Sequence, residues 1–318
     1  MDGGLVERIL AGDPRAVARA LSMVEDGDAA LPELSAALYP HTGRAYTVGL
    51  TGSPGVGKSS LAGALLGAAR KREIPAAVLA VDPTSPFSGG ALLGDRLRMQ
   101  EHATDPGVFI RSMATRGHLG GIALAAPEAL RILDASGARL VVVETVGVGQ
   151  AEVDVATATD TTVVVVAPGW GDSVQVAKAG ILEIADVFAV NKADREGANE
   201  ALRDLEVMIR MGTRTDWAPP VVRTSTVEGT GVDELYDAVA SHRAHLEETG
   251  ALAERRRARQ LHEVERMAAE AFRERIASDA ADETLAEDLL ARRIDPYAAA
   301  ASLVERASSA TSARTTTR

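Results

Sequence analysis

The stretch Gly52–Ser60 reads GSPGVGKSS, the spacing G-x-x-x-x-G-K-S of a phosphate-cradling Walker A loop. Gly52, Gly55 and Gly57 can take backbone angles that side-chained residues avoid, so the loop that they form with Ser53, Pro54 and Val56 can turn its N–H groups inward. A helix opening at Lys58-Ser59-Ser60 adds its positive N-terminal end. Lys58 then reaches the outer phosphates, and the Ser59 hydroxyl is placed to ligate Mg²⁺.

A second constellation chooses the base. Val187–Asp194 reads VFAVNKAD, an apolar run ending in N-K-x-D. A carboxylate at Asp194 can accept both the ring N–H and the exocyclic amine of guanine. Adenine offers neither at that edge, so GTP is selected over ATP. Asn191 can hydrogen-bond the base, and the Lys192 stem can lie along its face. Ser225, Thr226 and Val227, in the segment TSTV, are positioned to close backbone N–H groups on the guanine carbonyl. A third set concerns the metal. Leu140–Gln150 reads LVVVETVGVGQ, in which Glu144 ends a strand and would hold Mg²⁺ through a water, while the Gly147 N–H would sense the γ-phosphate. Asp82, Asp95 and Arg98 in AVDPTSPFSGGALLGDRLRM could bind metal, orient water and neutralise phosphate charge. A capped helix start with solvated charges accounts equally for Asp95 and Arg98. Val148 directly follows Gly147, and Gln150 lies two further on, which predicts slow intrinsic turnover.

These side chains need strand ends to hold them. Short β-branched runs alternate with helical stretches from Tyr46 onward, and strands are expected at Tyr46–Leu50, Ala77–Val81, Leu140–Glu144, Thr162–Ala167, Val187–Asn191 and Val221–Thr224. Runs such as LVVVE and TVVVVA do not alternate in polarity, as befits strands buried on both faces. The implied fold is a doubly wound α/β core with a mostly parallel sheet and ligands at the carboxyl ends of its strands. Residues 1–44 read as a helical extension, with Asp13-Pro14 as a capped start. Residues 45–242 read as the nucleotide-binding domain, and 243–318 as a second helical extension. In the latter, Arg255-Arg256-Arg257 reads as a solvated face balanced by Glu247, Glu248 and Glu254, and Ser308–Arg318 as a disordered tail.

Composition removes other chemistries. The 318 residues include no cysteine, which excludes disulfides, iron–sulfur clusters, thiolate zinc sites and cysteine nucleophiles. A net charge of −11 and 3 % aromatic residues argue against nucleic-acid binding. No apolar run suits a membrane helix and MDGGLVERIL lacks a signal-peptide pattern, so a cytoplasmic location is expected. The histidines are scattered. His242 and His245, three apart on an expected helix, read as surface residues, and His118 is the one near the expected site.

Together GSPGVGKS, VDPTSP with GGALLGDRLRM, RGHLGG, VVVETVGVGQ and PGWGDSVQVAKAGILEIADVFAVNKAD resemble the MeaB/ArgK family of P-loop GTPases, over most of the chain from about Leu5. The resemblance implies a GTP-hydrolysing chaperone that gates adenosylcobalamin loading into an acyl-CoA mutase of the methylmalonyl-CoA type and protects or reactivates it. It does not imply that the chain carries cobalamin, since no D-x-H-x-x-G pattern is present. By resemblance, Glu144, Asp82 and Asp95 take the family's glutamate and switch aspartates, and Pro168–Lys178 is a switch facing the mutase, with Asp172, Gln175 and Lys178 as polar contacts. Homodimerisation through the helical extensions is likewise implied. Trp170 occupies a variable loop position, and Thr226 stands where the family commonly has alanine. Two rival readings are a P-loop kinase of the ArgK type, for which no arginine-rich lid is evident, and a nickel-inserting GTPase, for which histidine- or cysteine-rich metal sites are lacking.

Overall fold

The computed structural model describes residues 3–83, 104–115, 122–145, 157–169, 183–211, 216–280 and 283–315. Among the described residues seven strands are formed: β1 (Tyr46–Thr51), β2 (Ala76–Pro83), β3 (Val108–Thr115), β4 (Leu140–Thr145), β5 (Thr161–Val166), β6 (Val187–Val190) and β7 (Val221–Arg223). They make one sheet in the order β3-β2-β4-β1-β5-β6-β7, and every pairing is parallel. The P-loop strand β1 lies between β4 and β5, so chain crossings to either side leave a crevice at its carboxyl end.

Six of the seven strands match the expected runs, and β3 is the addition. Its sequence VFIRSMAT has no buried apolar run because it is an edge strand. Arg111 inside it donates from Nη2 to Ser22 Oγ at 2.9 Å and Glu25 Oε2 at 2.7 Å.

Helices cover both faces, which is why the central strands read as unbroken apolar runs. Helices α1 (Gly3–Leu10), α2 (Pro14–Asp26), α3 (Leu31–Leu38) and α5 (Ile122–Ala135) contribute to one core with Ala77, Leu79, Val81, Val141 and Val143 of the sheet. Asp13 caps α2 by accepting from the N–H groups of Arg15 and Ala16. On the other face α4 (Lys58–Lys71) and α7 (Val232–Glu248) bury Val48, Leu50, Val78, Val142, Val163 and Val165. Helix α6 (Ala198–Met211) packs through Ala201 and Leu205 against Val164, Val166 and Phe188. The alternation of Val163 and Val165 with Val164 and Val166 between two cores is the period-2 pleat expressed in burial.

The amino end of the sheet is held by charge. Asp160, fully buried just before β5, receives Arg256 at 2.7 Å and Arg259 at 2.9 Å from helix α8 (Ala251–Ala280). Asp186, just before β6, receives Arg255 Nη2 at 3.0 Å. Two of the three arginines expected on a solvated face are thus structural. Their partners lie roughly 70 and 95 residues upstream, beyond what local charge counting sees. Burial pushes the Asp160 carboxyl up, and the hydrogen bonds and charges of Arg256 and Arg259 outweigh that, for a net downward shift.

His242 is also corrected. It is wholly buried on α7, with Nδ1 2.8 Å from Thr161 Oγ1, Nε2 3.3 Å from Asp186 Oδ1 and its ring 4.9 Å from that of Trp217. Desolvation lowers its pKa to about 4, against the pull of Asp186 and with help from Arg255 and His245.

The chain divides into two compact units, the first ending at Arg259 and the second beginning at Gln260. The helices before Ala45 belong to the first unit. The second comprises the rest of α8 with α9 (Glu283–Leu290) and α10 (Pro296–Thr315). Ala299 and Ala307 are buried there, while Leu261, Val264 and Met267 form an exposed apolar stripe on α8. Helix α10 continues through Ser308–Thr315, where a disordered tail was expected, and its alanine-rich composition suits a helix. No helix among the described residues is long and apolar enough to cross a membrane.

Candidate nucleotide site

Parallel pairing brings the carboxyl ends of β1, β4, β6 and β7 to one edge, and the expected site residues follow them. From β1 the chain enters the loop Gly52–Gly57 and then α4. Gly52 has φ +136, and a Cβ there would lie 2.1 Å from the Val165 carbonyl oxygen, so only glycine lets the loop leave the sheet so close to β5. Gly57, with φ +95, precedes α4 directly, and a Cβ there would lie 2.5 Å from Asn191 Nδ2. The buried Lys58 Nζ donates to the carbonyls of Gly52 at 2.6 Å and Ser53 at 3.2 Å, holding the ammonium within the loop.

Beside the loop, Glu144 pairs in register with Leu50 of β1 and Ala80 of β2. The Ser59 hydroxyl donates to Glu144 Oε1, and both residues are buried. These are hard oxygen donors from the two predicted metal positions, brought together at the mouth of the phosphate loop. They fit Mg²⁺, which binds through one or two carboxylates together with substrate phosphate and water. Asp82 stands at the carboxyl end of β2, two residues past the partner of Glu144. Among the described residues there is no cluster of three or more His, Cys, Asp or Glu able to hold a metal.

At the other end of the site, Asn191 follows β6 directly and is buried. Its Nδ2 donates to the Val56 carbonyl at 2.8 Å, and Thr224 Oγ1 donates to its Oδ1 at 3.2 Å. The amide therefore ties the base-recognition strand to the phosphate loop, with Thr224 fixing its orientation. Thr224 is a positioning residue that the motif alone does not reveal; its signal is a threonine directly after β7. Lys192 adopts φ +57, a strained left-handed conformation, and its Nζ donates to the Gly55 carbonyl at 2.6 Å. Asp194 is exposed, and Ser225 Oγ donates to its Oδ1 at 2.6 Å. That hydrogen bond is the main reason its carboxyl lies below the usual range. Ser225 and Thr230 exchange backbone hydrogen bonds around a tight turn, and Thr224 N–H donates to Val190. Of the segment expected to close on guanine, the N–H groups of Thr224 and Ser225 are thus committed to the fold, which leaves Thr226 and Val227 as its donors. Val227 is 88 % exposed.

The expected roles of Asp95, Arg98, His118, Gly147, Asp172, Gln175 and Lys178, and of the Asp82 side chain, fall outside the described residues.

Residues 17–281 match the family model described as methylmalonyl Co-A mutase-associated GTPase MeaB. The chain belongs to the MeaB family of GTPases. A Pyrococcus horikoshii protein named as a GTPase is 47 % identical over 307 residues, covering 95 % of this chain and 97 % of that protein. GTPase ArgK of Escherichia coli is 33 % identical over 256 residues, covering 78 % of this chain and 77 % of its own. Among solved structures, that of an LAO/AO transport system kinase is similar at a TM-score of 0.71 and 26 % identity, covering 95 % of this chain and 96 % of that one. In this GTPase the glycine loop and the N-K-x-D strand end lie side by side, and the Asn191–Val56 hydrogen bond is where they meet.

Proposed function

We propose that this GTPase couples hydrolysis of GTP to the care of a cobalamin-dependent acyl-CoA mutase: it gates adenosylcobalamin loading and protects or reactivates the mutase. The observation that supports the nucleotide half is the bridge from Asn191 to the Val56 carbonyl, which would join the phosphate grip to base recognition. The mutase half is supported by the family model, whose description is mutase-associated.

In the proposed mechanism the loop N–H groups and Lys58 bind the β- and γ-phosphates, and Asp194 orients the base. Ser59 and Glu144 would hold Mg²⁺. When bound, this ion would supply positive charge to the phosphate oxygens. Water attacks the γ-phosphorus in line, the bond from that phosphorus to the β,γ-bridging oxygen breaks, and GDP leaves with inorganic phosphate formed from the water oxygen. Lys58 has only to shift its hydrogen bonds from the Gly52 and Ser53 carbonyls to phosphate oxygens, a small move within the same loop. Asp82, Asp95 and Arg98 would complete the charge and water arrangement. Loss of the γ-phosphate would be read by Gly147 and relayed to Asp172, Gln175 and Lys178 at the mutase.

Turnover measured with and without the cognate mutase tests this reading. Slow intrinsic hydrolysis that the mutase accelerates supports it, whereas equal, fast rates in both count against it. The kinase reading is kept alive by the name of the LAO/AO transport system kinase structure. With γ-labelled GTP, free phosphate favours the GTPase, and label on an acceptor favours the kinase. We further propose a homodimer. Its support is the exposed stripe Leu261, Val264 and Met267, and light scattering at several concentrations reports it.

A further inference from the structure

The face of the sheet that carries α4 and α7 holds a cavity of about 260 Å³ at the amino ends of β1 and β4. Tyr46, which opens β1 and pairs with Leu140, lies five residues before Thr51, so the cavity is about 17 Å along the strand from the phosphate loop. It is a separate place.

Its floor is apolar and rigid, made by the buried side chains of Val48, Leu65 and Val142. Its rim is polar. Arg139, the exposed residue before β4, lines it, and among the described residues no carboxylate lies within ion-pair distance of its guanidinium. Arg243 lines it too, its guanidinium 5.0 Å from the centroid of the Tyr46 ring and 2.8 Å from Glu247. One rim carboxylate, Glu73, opposes these two cations. Glu73 holds φ +59 as the left-handed residue that ends α4, its N–H donating to the Arg70 carbonyl and that of Ile74 to the Ala69 carbonyl. Its neighbour Ile74 completes the wall of the cavity. An apolar floor with a few charged groups converging at its rim is the usual make-up of a small-molecule site.

We propose that this cavity binds a small amphipathic monocarboxylate, its aliphatic or aromatic body on Val48, Leu65 and Val142 and its carboxylate on Arg139. At roughly 30 Å³ per water-sized group the cavity takes about nine such groups, the size of a medium-chain fatty acid anion. Arg243 already pairs with Glu247, whereas Arg139 has no ion-pair partner among the described residues, so Arg139 is the group that an anion would meet. The site also adjoins the charged foot of the sheet. Tyr46 Oη shares a 2.5 Å hydrogen bond with Thr161, which in turn bonds His242, so a ligand against Tyr46 touches the network that anchors α8. The proposal stands independently of the mutase reading.

The test is calorimetric titration of the full chain with octanoate, octanol and octylammonium, with GDP binding as the check on folding. Octanoate is expected to bind at one site per chain. Arg139→Gln should weaken octanoate at least tenfold and leave octanol unchanged. Ala240→Trp, at an exposed lining position on α7, should abolish binding of both by filling the cavity. The proposal is overturned if octanoate does not bind, if its affinity is indifferent to both variants, or if octylammonium binds equally well. A loss of self-association in Ala240→Trp without any octanoate binding would show that a second copy of the chain fills the cavity, and would overturn it as well.

Discussion

In the proposed site Asp194 and Lys58 would meet the two ends of GTP by different chemistry, and each makes its own prediction. The Asp194 carboxyl is held below its usual range by the Ser225 hydroxyl, so it is a full acceptor at neutral pH. Asp194→Asn exchanges that acceptor for a donor. GTP affinity is expected to fall about 10- to 100-fold, since hydrogen bonds to charged groups are worth about 1.5–3 kcal/mol, with ATP affinity unchanged. Competition titration against a fluorescent guanine nucleotide measures this. Lys58→Ala removes the ammonium that the loop already holds in place, and GTP affinity should fall at least about 100-fold in the same assay. At this scale the spacing of Gly52–Ser59 and Asn191–Asp194 marked the two segments that the structure brings together. It was silent on Thr224, whose role depends on a contact to Asn191 across 33 positions.

Among the elements, the phosphate loop distinguishes two uses of glycine. At Gly52 an added methyl meets the Val165 backbone, whereas at Gly55, φ +80, it meets nothing within 4 Å. Gly52→Ala is therefore expected to cost about 3 kcal/mol or more, combining overpacking with strain. Gly55→Ala should cost about 1–2 kcal/mol from backbone conformation alone. Urea denaturation of both variants compares them. Helix α7 supplies a pH prediction. His242 has a folded pKa of about 4 against an unfolded value of about 6.5. The unfolded chain takes up the proton first, so stability is complete above about pH 6.5 and falls by about 3 kcal/mol as pH drops toward 4. Urea midpoints across pH 4–7 should show that slope, and His242→Gln should flatten it. Six strands were readable because strands buried on both faces write long apolar runs. β3 was not, because an edge strand carrying Arg111 looks like loop, and His242 was not, because histidine on a helix carries no mark of burial.

For the whole molecule, the arginines at the start of α8 separate two interpretations of a charge run. Arg256 is half of a buried ion pair, while Arg257 is exposed. Arg256→Ala should destabilise by about 2–3 kcal/mol, because it takes one of two guanidiniums from a buried carboxylate and leaves Arg259 to compensate alone. Arg257→Ala should stay within about 0.5 kcal/mol. Chemical denaturation of the two neighbours decides between a clamp and a solvated face. Composition and charge could not show that this net-acidic chain holds its sheet together with cations supplied from a distant helix.

That arrangement bears on how the polypeptide is made. All seven strands described have been translated once Arg223 is added, yet the carboxylate at position 160 still lacks the counter-ions that make its burial tolerable. Those come some ninety-six residues after it. Vectorial synthesis therefore withholds the finishing contact of the nucleotide-binding unit until the root of its longest helix has left the ribosome. A nascent chain cannot settle its sheet fully before the segment that leads into the second unit is itself in place.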